Sequence, residues 1–349
     1  MLNKLIGDNA GFYSIQIYFL RTNKPNNTCG FIWVIFALAG RYLLPQFCPG
    51  KAVLRPHYLH GQPSICQCFF FLTFENMHTT ITSDATVQNH IIHSKFLNRE
   101  VKVDCYLPAN NMQTHHLSLL LINDGQDLVT MGFQQILQNL YQANQLPALL
   151  CVGLHCSADR KNEYATAKIL DYKGRGAKAG LYSRFVLEEV LPYIRNTYHI
   201  KSFKEKSFAG FSLGALSAMD IVWNHPHEFT KMGAFSGSFW WRDKCQEDAD
   251  FDEEKNRIMH RQVKEGAYHP WLKFFFEVGT QDETADRNNN GIIDAIDDTI
   301  SLIAALKEKG YTDVDLKYLE LQDGKHDVAT WARAFPDFLK WGWGNEIIS

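Results

Sequence analysis

The sequence lacks an excess of basic residues, a dense set of cysteines and a long hydrophobic run. Its 35 lysines and arginines stand against 38 aspartates and glutamates, so nothing in the composition favours nucleic acid as a partner. The 8 cysteines are too few for a disulfide framework, and no two pairs have zinc-site spacing. The apolar run Phe31–Gly40 is shorter than the roughly 20 residues of a membrane span, so no membrane association is expected. With 46% apolar and 21% charged residues, the composition indicates a soluble globular protein.

The first 76 residues differ in composition from the rest of the chain. They contain only two acidic residues, Asp8 and Glu75, and no helical or strand periodicity continues for long. The run Phe31–Gly40, preceded by Lys24, ends in small residues, as the apolar part of a secretory signal peptide does. The polar stretch ahead of it is longer than such leaders usually have.

The compositional break before Met77 suggests a second interpretation, in which Met77 is the natural start and residues 1–76 are an atypical extension. We favour this interpretation, with residues 77–349 as one domain located in the cytoplasm. If residues 24–40 act as a signal peptide, the protein is secreted instead. The intact mass of the protein from its native source distinguishes the two starts.

Strands and helices alternate over residues 88–345, as in a mostly parallel sheet with helices on both faces. Residues 99–107 alternate in polarity and predict a half-buried antiparallel strand, whereas the apolar runs 117–122 and 148–154 predict fully buried strands. Further strands are predicted to end at 209 and to span 232–235, 272–278 and 314–319, with helices at 133–143, 181–198, 213–223, 299–309 and 328–339. No linker divides this region, which predicts one α/β domain.

The segment Gly210–Gly214, with the sequence Gly-Phe-Ser-Leu-Gly, lies between a predicted strand and a predicted helix. This is the context of a nucleophile elbow in the α/β-hydrolase fold, where glycines on both sides permit a tight turn around the serine. A chance match to so short a pattern is the alternative, and the strand–turn–helix placement argues against it. Ser212 is therefore the predicted nucleophile.

A nucleophilic serine needs a base to take its proton and an acid to orient that base. In the α/β-hydrolase fold the chain order is serine, acid, histidine. Asp282 follows the predicted strand 272–278 and His326 follows the strand 314–319, so both lie at the strand ends where Ser212 lies. Glu283 and Asp286 are neighbouring alternatives for the acid.

The oxyanion of an acyl-transfer reaction needs two backbone N–H donors. Leu213 supplies one, because it follows the nucleophile. The loop after the strand 117–122 contains Gly125, which permits a sharp turn, and we predict the Gln126 N–H as the second donor. An ordinary Asn-Asp-Gly turn is the alternative interpretation of this loop.

With these motifs, residues 88–343 resemble the esterase family that includes enterochelin esterases, feruloyl esterases, S-formylglutathione hydrolases and mycolyltransferases. The matching stretches are Ile122–Gln126, Arg160–Tyr164, Gly210–Leu216, His225–Phe229, Ser236–Trp241 and Gly324–Asp327 with Trp331. The resemblance implies an α/β-hydrolase fold and the same triad and oxyanion donor. It also implies that Trp240 and the loop of Arg160 line the mouth of the site. Where the family usually has a second elbow glycine, this chain has Ala215.

Residues 286–297 match a twelve-residue calcium loop. Its ligand positions are occupied by Asp286, Asn288, Asn290, Ile292 (through its carbonyl), Asp294 and Asp297. Position 12 is Asp rather than Glu, and a strand rather than a helix precedes the loop. The alternative is a turn closed by its own side-chain hydrogen bonds. We expect that a structural Ca²⁺, if bound, rigidifies the segment that carries Asp282, and that catalysis needs no cofactor.

The sequence thus predicts a serine esterase that hydrolyses a small-molecule carboxylic ester through an acyl-enzyme. One alternative is an acyltransferase that uses the same triad, with an alcohol in place of water. Another is a non-catalytic binding module that has kept the fold. The sequence does not indicate the acyl and alcohol parts of the substrate or the oligomeric state of the protein.

Overall fold

The computed structural model of the chain describes residues 85–108 and 117–344. The predicted extension at 1–76, the start at Met77 and the leader at 24–40 lie outside the described residues. All described residues fall within one compact unit.

The predicted strands combine into one eight-stranded sheet with the order β1-β2-β4-β3-β5-β6-β7-β8. The strands are β1 (Thr86–Ser94), β2 (Arg99–Leu107), β3 (Ser118–Asn123), β4 (Leu149–Leu154), β5 (Lys206–Phe211), β6 (Lys231–Phe235), β7 (Lys273–Gln281) and β8 (Leu316–Lys325). Strand β2 is antiparallel to both β1 and β4, and every other pair is parallel. The prediction of a mostly parallel central sheet is therefore confirmed.

Two strands depart from the sequence prediction. Strand β1 was missed because most of its residues are exposed at the edge of the sheet and it has no clean alternation. Strand β2 was predicted as half-buried, which is wrong for its second half: from Val103 onward every residue is buried, because β2 lies between β1 and β4.

The helices cover both faces of the sheet, as predicted. They are α1 (Asp127–Thr130), α2 (Phe133–Gln142), α3 (Arg160–Glu163), α4 (Ala179–Arg184), a π-helical segment (Phe185–Val190), α5 (Leu191–Thr197), α6 (Leu213–Asn224), α7 (Glu253–Asn256), α8 (Ile258–Glu265), α9 (Asp294–Lys309) and α10 (Val328–Trp343). The predicted helix 181–198 thus contains a π-helical segment, and α9 begins five residues earlier than predicted. Among the described residues, no helix is long and apolar enough to cross a membrane.

The core is divided into two layers by the sheet, because successive residues of a strand face opposite sides. Leu119 and Leu121 of β3 pack in one layer, with α6, α8 and α9, whereas Leu120 and Ile122 pack in the other, with α2 and α10. Burial on both faces explains the continuous apolar runs of the sequence. The predicted site residues Ser212, Asp282 and His326 each follow the carboxyl end of a parallel strand, so they lie at one edge of the sheet.

Candidate active site

Ser212 lies in the turn between β5 and α6, with φ 54° and ψ −121°, a backbone conformation that non-glycine residues rarely adopt. The turn requires both flanking glycines. A Cβ on Gly210 would overlap the carbonyl of Gly214, and a Cβ on Gly214 would lie 2.5 Å from Asp124 Oδ2. The strained serine between two tightly packed glycines has the geometry of a nucleophile elbow.

Asp282 and His326 meet at the ends of two neighbouring strands. Strands β7 and β8 are paired in parallel and end at Gln281 and Lys325, so the next residue of each enters the same region. His326 Nδ1 lies 3.3 Å from Asp282 Oδ2; the side chain of Asp282 is 1% exposed and that of His326 is 42% exposed. Among the acids of this loop, Asp282 rather than Glu283 is hydrogen-bonded to the imidazole.

The second carboxylate oxygen of Asp282 is held by a short chain of donors. Ser236 Oγ donates to Asp282 Oδ1 at 3.0 Å, and Trp331 Nε1 donates to Ser236 Oγ at 2.9 Å. The ring of Trp331 also packs edge-on against the ring of His326, with centroids 5.5 Å apart. Both donors are buried, so they fix the carboxylate beneath the imidazole. Sequence reasoning missed these two roles, although both residues lie in the family-like stretches.

The hydroxyl of Ser212 points at a second serine. Ser212 Oγ lies 3.4 Å from Ser238 Oγ, and no hydrogen bond joins Ser212 to His326 within the described part of the chain. Hydrogen bonds between catalytic groups are often long until substrate binds. The structure therefore brings the acid and the imidazole together, and places the serine at the same edge of the sheet with its hydroxyl on Ser238.

The two predicted oxyanion donors are unengaged backbone groups. Leu213 is the first residue of α6, and neither its N–H nor that of Gln126 donates to any acceptor among residues 85–108 and 117–344. The loop of Gln126 is pinned to β4: the Gly125 N–H donates to the Leu154 carbonyl at 2.8 Å, and Gln126 Oε1 accepts from the Cys156 N–H at 3.1 Å. Both N–H groups are therefore available to an anion.

Arg160 connects the loop of Asp124 and Gln126, here called the oxyanion loop, to the nucleophile elbow. The resemblance implied only that the loop of Arg160 lines the mouth of the site. The Arg160 guanidinium donates twice to Asp124, at 2.8 and 2.7 Å, and once to the Phe211 carbonyl at 3.2 Å. Burial would lower the pKa of Arg160, but the bonds and charge of Asp124 outweigh burial and raise it. Because the Asp124 side chain is 2% exposed, the pair holds the residue before Ser212 against the oxyanion loop.

Trp240 is half-buried and follows the Ser238 loop by two residues. The guanidinium carbon of Arg175 lies 5.6 Å from the centroid of the Trp240 ring, and that of Arg242 lies 6.0 Å from it. Cations at such distances over an indole face are attracted by its electrons. The next residue, Trp241, is fully buried, which assigns it to the core.

Residues 94–341 match the family described as "Putative esterase". This chain belongs to that family. Two Bacillus subtilis (strain 168) proteins, the uncharacterized proteins YbbA and YjcH, are 22% and 23% identical to this esterase over 249 and 261 residues. These alignments cover 68% and 74% of the esterase and 91% and 97% of the two relatives.

Solved structures of other esterases have the same fold. The enterobactin esterase FES from Shigella flexneri matches with a TM-score of 0.56 and 19% identity, over 73% of this esterase and 58% of FES. This esterase therefore spans just over half the length of FES. A ferulic acid esterase matches with a TM-score of 0.56 and 17% identity, over 74% and 98% of the two chains. The siderophore hydrolase EstB from Aspergillus nidulans matches with a TM-score of 0.54 and 14% identity, over 73% of this esterase and 95% of EstB. The predicted α/β-hydrolase fold is confirmed, and the family supports a hydrolase that acts on esters.

Glu277 of the esterase is a buried acid next to Asp282. Its side chain faces the layer of α10, and neither carboxyl oxygen has a hydrogen-bond partner among the described residues. Burial, together with the charge of Asp282, raises the pKa of Glu277 to about 8. Glu277 is therefore mostly protonated at neutral pH and adds little negative charge beside Asp282.

The predicted calcium loop of the esterase is closed by hydrogen bonds of its own. Asp286 accepts from the N–H groups of Asn290 and Gly291, and the Asn288 side-chain amide donates to Asp297 at 2.8 Å. Asp294 is paired with Arg287 at 3.3 Å, so this carboxylate has a cationic partner without a bound metal ion. Within the described ranges, no cluster of three or more His, Cys, Asp or Glu side chains could hold a metal ion. The calcium hypothesis stays a prediction.

A cavity of about 670 Å³ opens at the other end of the strands. Its lining comes from residues at the amino ends of β3, β5, β6 and β7 and from the end of α10, and includes Lys204, Glu205, Lys231, Lys273 and Trp343. Because Ser212, Asp282 and His326 all follow carboxyl ends, the cavity takes no part in the candidate active site.

Proposed function

We propose that the protein is a serine esterase in which Ser212 attacks the ester carbonyl, His326 acts as the base and Asp282 orients the imidazole. The observation that carries the proposal is the Asp282–His326 contact at the sheet edge where the strained Ser212 turn lies. Each group is held by a different strand end, so the arrangement follows from the fold rather than from local sequence.

The reaction proceeds in two steps. In the first, a bond forms between Ser212 Oγ and the carbonyl carbon while the serine proton passes to His326. The imidazolium then gives this proton to the leaving alcohol as its bond to carbon breaks, which leaves an acyl-enzyme. In the second step, water attacks the acyl carbon and gives its proton to His326. The proton returns to Ser212 as the acid leaves.

The carbonyl oxygen becomes negatively charged in both steps. The N–H groups of Leu213 and Gln126 support its stabilisation, because both are unengaged and lie beside the elbow. The amino end of α6 adds a favourable field, since its peptide dipoles point their positive end at Ser212. Arg160 keeps the oxyanion loop and the elbow at a fixed separation through Asp124 and Phe211.

The proposed substrate is a small-molecule ester whose acyl or alcohol part contacts the half-buried Trp240. A panel of acetyl, feruloyl and catecholate esters identifies the preferred acyl group. An acyltransferase would use the same residues, with an alcohol replacing water in the second step. Measuring transfer to added alcohols against hydrolysis distinguishes the two activities.

The proposal is tested with Ser212→Ala, p-nitrophenyl acetate and a fluorophosphonate probe. We expect the wild type to be labelled on Ser212 and the variant to lose labelling and roughly 10⁴-fold or more in hydrolysis rate. Ser207→Ala serves as the matched control, because Ser207 is a fully buried serine of β5 outside the site. A Ser212→Ala protein that hydrolyses the ester at the wild-type rate refutes the proposal.

A further inference from the structure

The segment Ser236-Gly237-Ser238, which directly follows β6, contacts two members of the proposed triad. Ser236 donates to the carboxylate of Asp282, as described above. Ser238 contacts Ser212 twice: its N–H donates to the Ser212 carbonyl at 3.1 Å, and its Oγ lies 3.4 Å from Ser212 Oγ. Ser238 is 5% exposed, so water does not readily replace this partner.

We propose that Ser238 is a further catalytic residue, whose hydroxyl donates a hydrogen bond to Ser212 Oγ and stabilises the negative charge that builds there. The inference rests on the proposed function, since it requires Ser212 to be the nucleophile. The direction of the bond follows from the proton count. Ser212 has one hydroxyl proton, which passes to His326 during attack, so from that stage the proton in a hydrogen bond between the two serines comes from Ser238.

The contact is useful in both steps of the reaction. During acylation Ser212 Oγ loses its proton to His326 and gains partial negative charge until the bond to carbon has formed. During deacylation the same oxygen departs from carbon and again carries partial charge until His326 returns the proton. Ser238 keeps its own proton throughout, so no additional group has to accept or supply one.

Within the described part of the chain, the hydroxyl of Ser238 has no other hydrogen-bond partner. Among the described residues, Ser212 Oγ is the one side-chain atom within hydrogen-bond distance of Ser238 Oγ. The site differs in this respect from a purely structural position such as Ser207, whose buried hydroxyl has no partner at all in the described part of the chain. Ser207 therefore provides a control with the same chemistry and burial.

The experiment compares Ser238→Ala, Ser236→Ala and Ser207→Ala with the wild type. The measurements are the pH profile of p-nitrophenyl acetate hydrolysis, the rate of fluorophosphonate labelling and thermal melting. We expect Ser238→Ala to lower both the turnover and the labelling rate by about tenfold, the effect of losing one hydrogen bond to a reacting oxygen, with the acid limb of the pH profile unmoved. Ser236→Ala is expected to move the acid limb upward, because the charge of Asp282 is then no longer shared with a hydroxyl proton.

The outcomes separate this inference from the proposed function. If the wild type is neither labelled on Ser212 nor active on any ester of the panel, the proposed function fails and the role of Ser238 fails with it. If the wild type and Ser207→Ala are labelled and active and Ser238→Ala matches them, only the role of Ser238 is refuted. A slower Ser238→Ala protein whose acid limb moves as in Ser236→Ala also refutes it, because Ser238 would then act through the acid and the imidazole.

Discussion

Single residues at the carboxyl edge of the sheet adopt conformations that the rest of the fold must stabilise. Ser212 and Asp124 both have positive φ, at 54° and 59°, in the two turns that are expected to flank a reacting carbonyl. Conformations of this kind cost about 1–3 kcal/mol each and persist only where their surroundings fix them. The bidentate contact of Arg160 with Asp124 is one such constraint.

Arg160 is therefore predicted to be important for stability as well as activity. Arg160→Lys keeps the charge but removes the planar fork, so the buried Asp124 loses the bidentate contact with two guanidinium donors. We expect a loss of about 3 kcal/mol in the free energy of unfolding and a lower rate of ester hydrolysis. Urea unfolding, monitored by circular dichroism, measures the change in the free energy of unfolding.

The matched control for Arg160 is an exposed ion pair. Arg184 bonds to Glu188 on the helical surface, with both side chains about half exposed. Arg184→Lys is expected to leave the free energy of unfolding nearly unchanged, because solvent screens this exposed pair. If both substitutions cost the same, the Arg160 contact has no special structural role.

Glu277 is predicted to make the protein less stable as pH rises. Its folded pKa of about 8 lies above the ordinary value of 4.5, so between these values the folded protein retains a proton that the unfolded chain has released. The free energy of unfolding therefore falls as pH rises through this window, by at most roughly 5 kcal/mol at 1.36 kcal/mol per pKa unit. Glu277→Gln stays neutral, and we expect it to flatten this slope.

Urea midpoints at pH 5 and pH 8 measure the effect of Glu277. At pH 8 the Glu277→Gln protein should be more stable than the wild type. At pH 5 the difference in stability between the two proteins should be smaller. Glu308→Gln, which removes an exposed acid of α9, should leave the slope unchanged. Parallel profiles for the wild type and Glu277→Gln would show that Glu277 is ionised throughout.

At the scale of elements, the segment between β7 and α9 connects the predicted calcium loop to the proposed acid. Asp282 begins this segment, and Asp294 and Asp297 lie in the first turn of α9. The guanidinium of Arg287 fastens its middle, because it contacts Asp298 of α9 and Glu253 of α7. A cation bound in the loop would therefore stabilise the region that follows Asp282.

Calcium is predicted to raise the melting temperature of the protein relative to chelator, by about 5 °C if the loop binds it well above its Kd. Asp286→Ala removes the first ligand position, and we expect it to abolish the difference. Asp313→Ala removes an exposed carboxylate elsewhere, and this variant should still melt at a higher temperature with calcium than with chelator. Identical wild-type melting curves with calcium and with chelator would remove the calcium hypothesis and leave a self-closed turn.

At the scale of the whole molecule, the site depends on the sheet remaining intact. Ser212, Asp282 and His326 follow β5, β7 and β8, which lie within four consecutive strands of the sheet, β5-β6-β7-β8, although they are far apart in the chain. No single element carries two of the three groups. Loss of the site should therefore accompany loss of the fold.

Fluorophosphonate labelling in urea tests this dependence. We expect the midpoint for loss of Ser212 labelling to coincide with the midpoint for loss of helical circular dichroism, because both report the same cooperative unit. Labelling that disappears at distinctly lower urea would show that the loops separate while the sheet persists.

Much of the fold was predictable because two-sided burial has a local signature. The apolar runs of β3 and β4 and the Gly210–Gly214 pattern carry their structural meaning in consecutive residues. Strand β1 was missed, since an exposed edge strand leaves no such signature. Helix α8 was also missed, although its apolar residues Ile258, Met259 and Val263 have helical spacing and are buried. The chain order of serine, acid and histidine pointed to Asp282 and His326, whose side chains lie 3.3 Å apart in the structure.

The sequence by itself determined the alternation of elements and the tight turn at Ser212, because each depends on residues close together in the chain. The order of the proposed triad is also a property of the sequence, although its members lie far apart in the chain. Only the tertiary structure decided which acid meets the imidazole, what Arg160 holds, and that Ser236, Ser238 and Trp331 reach the site. These contacts join residues that are distant in sequence. Their partners are set by strand order and register, which no local pattern encodes.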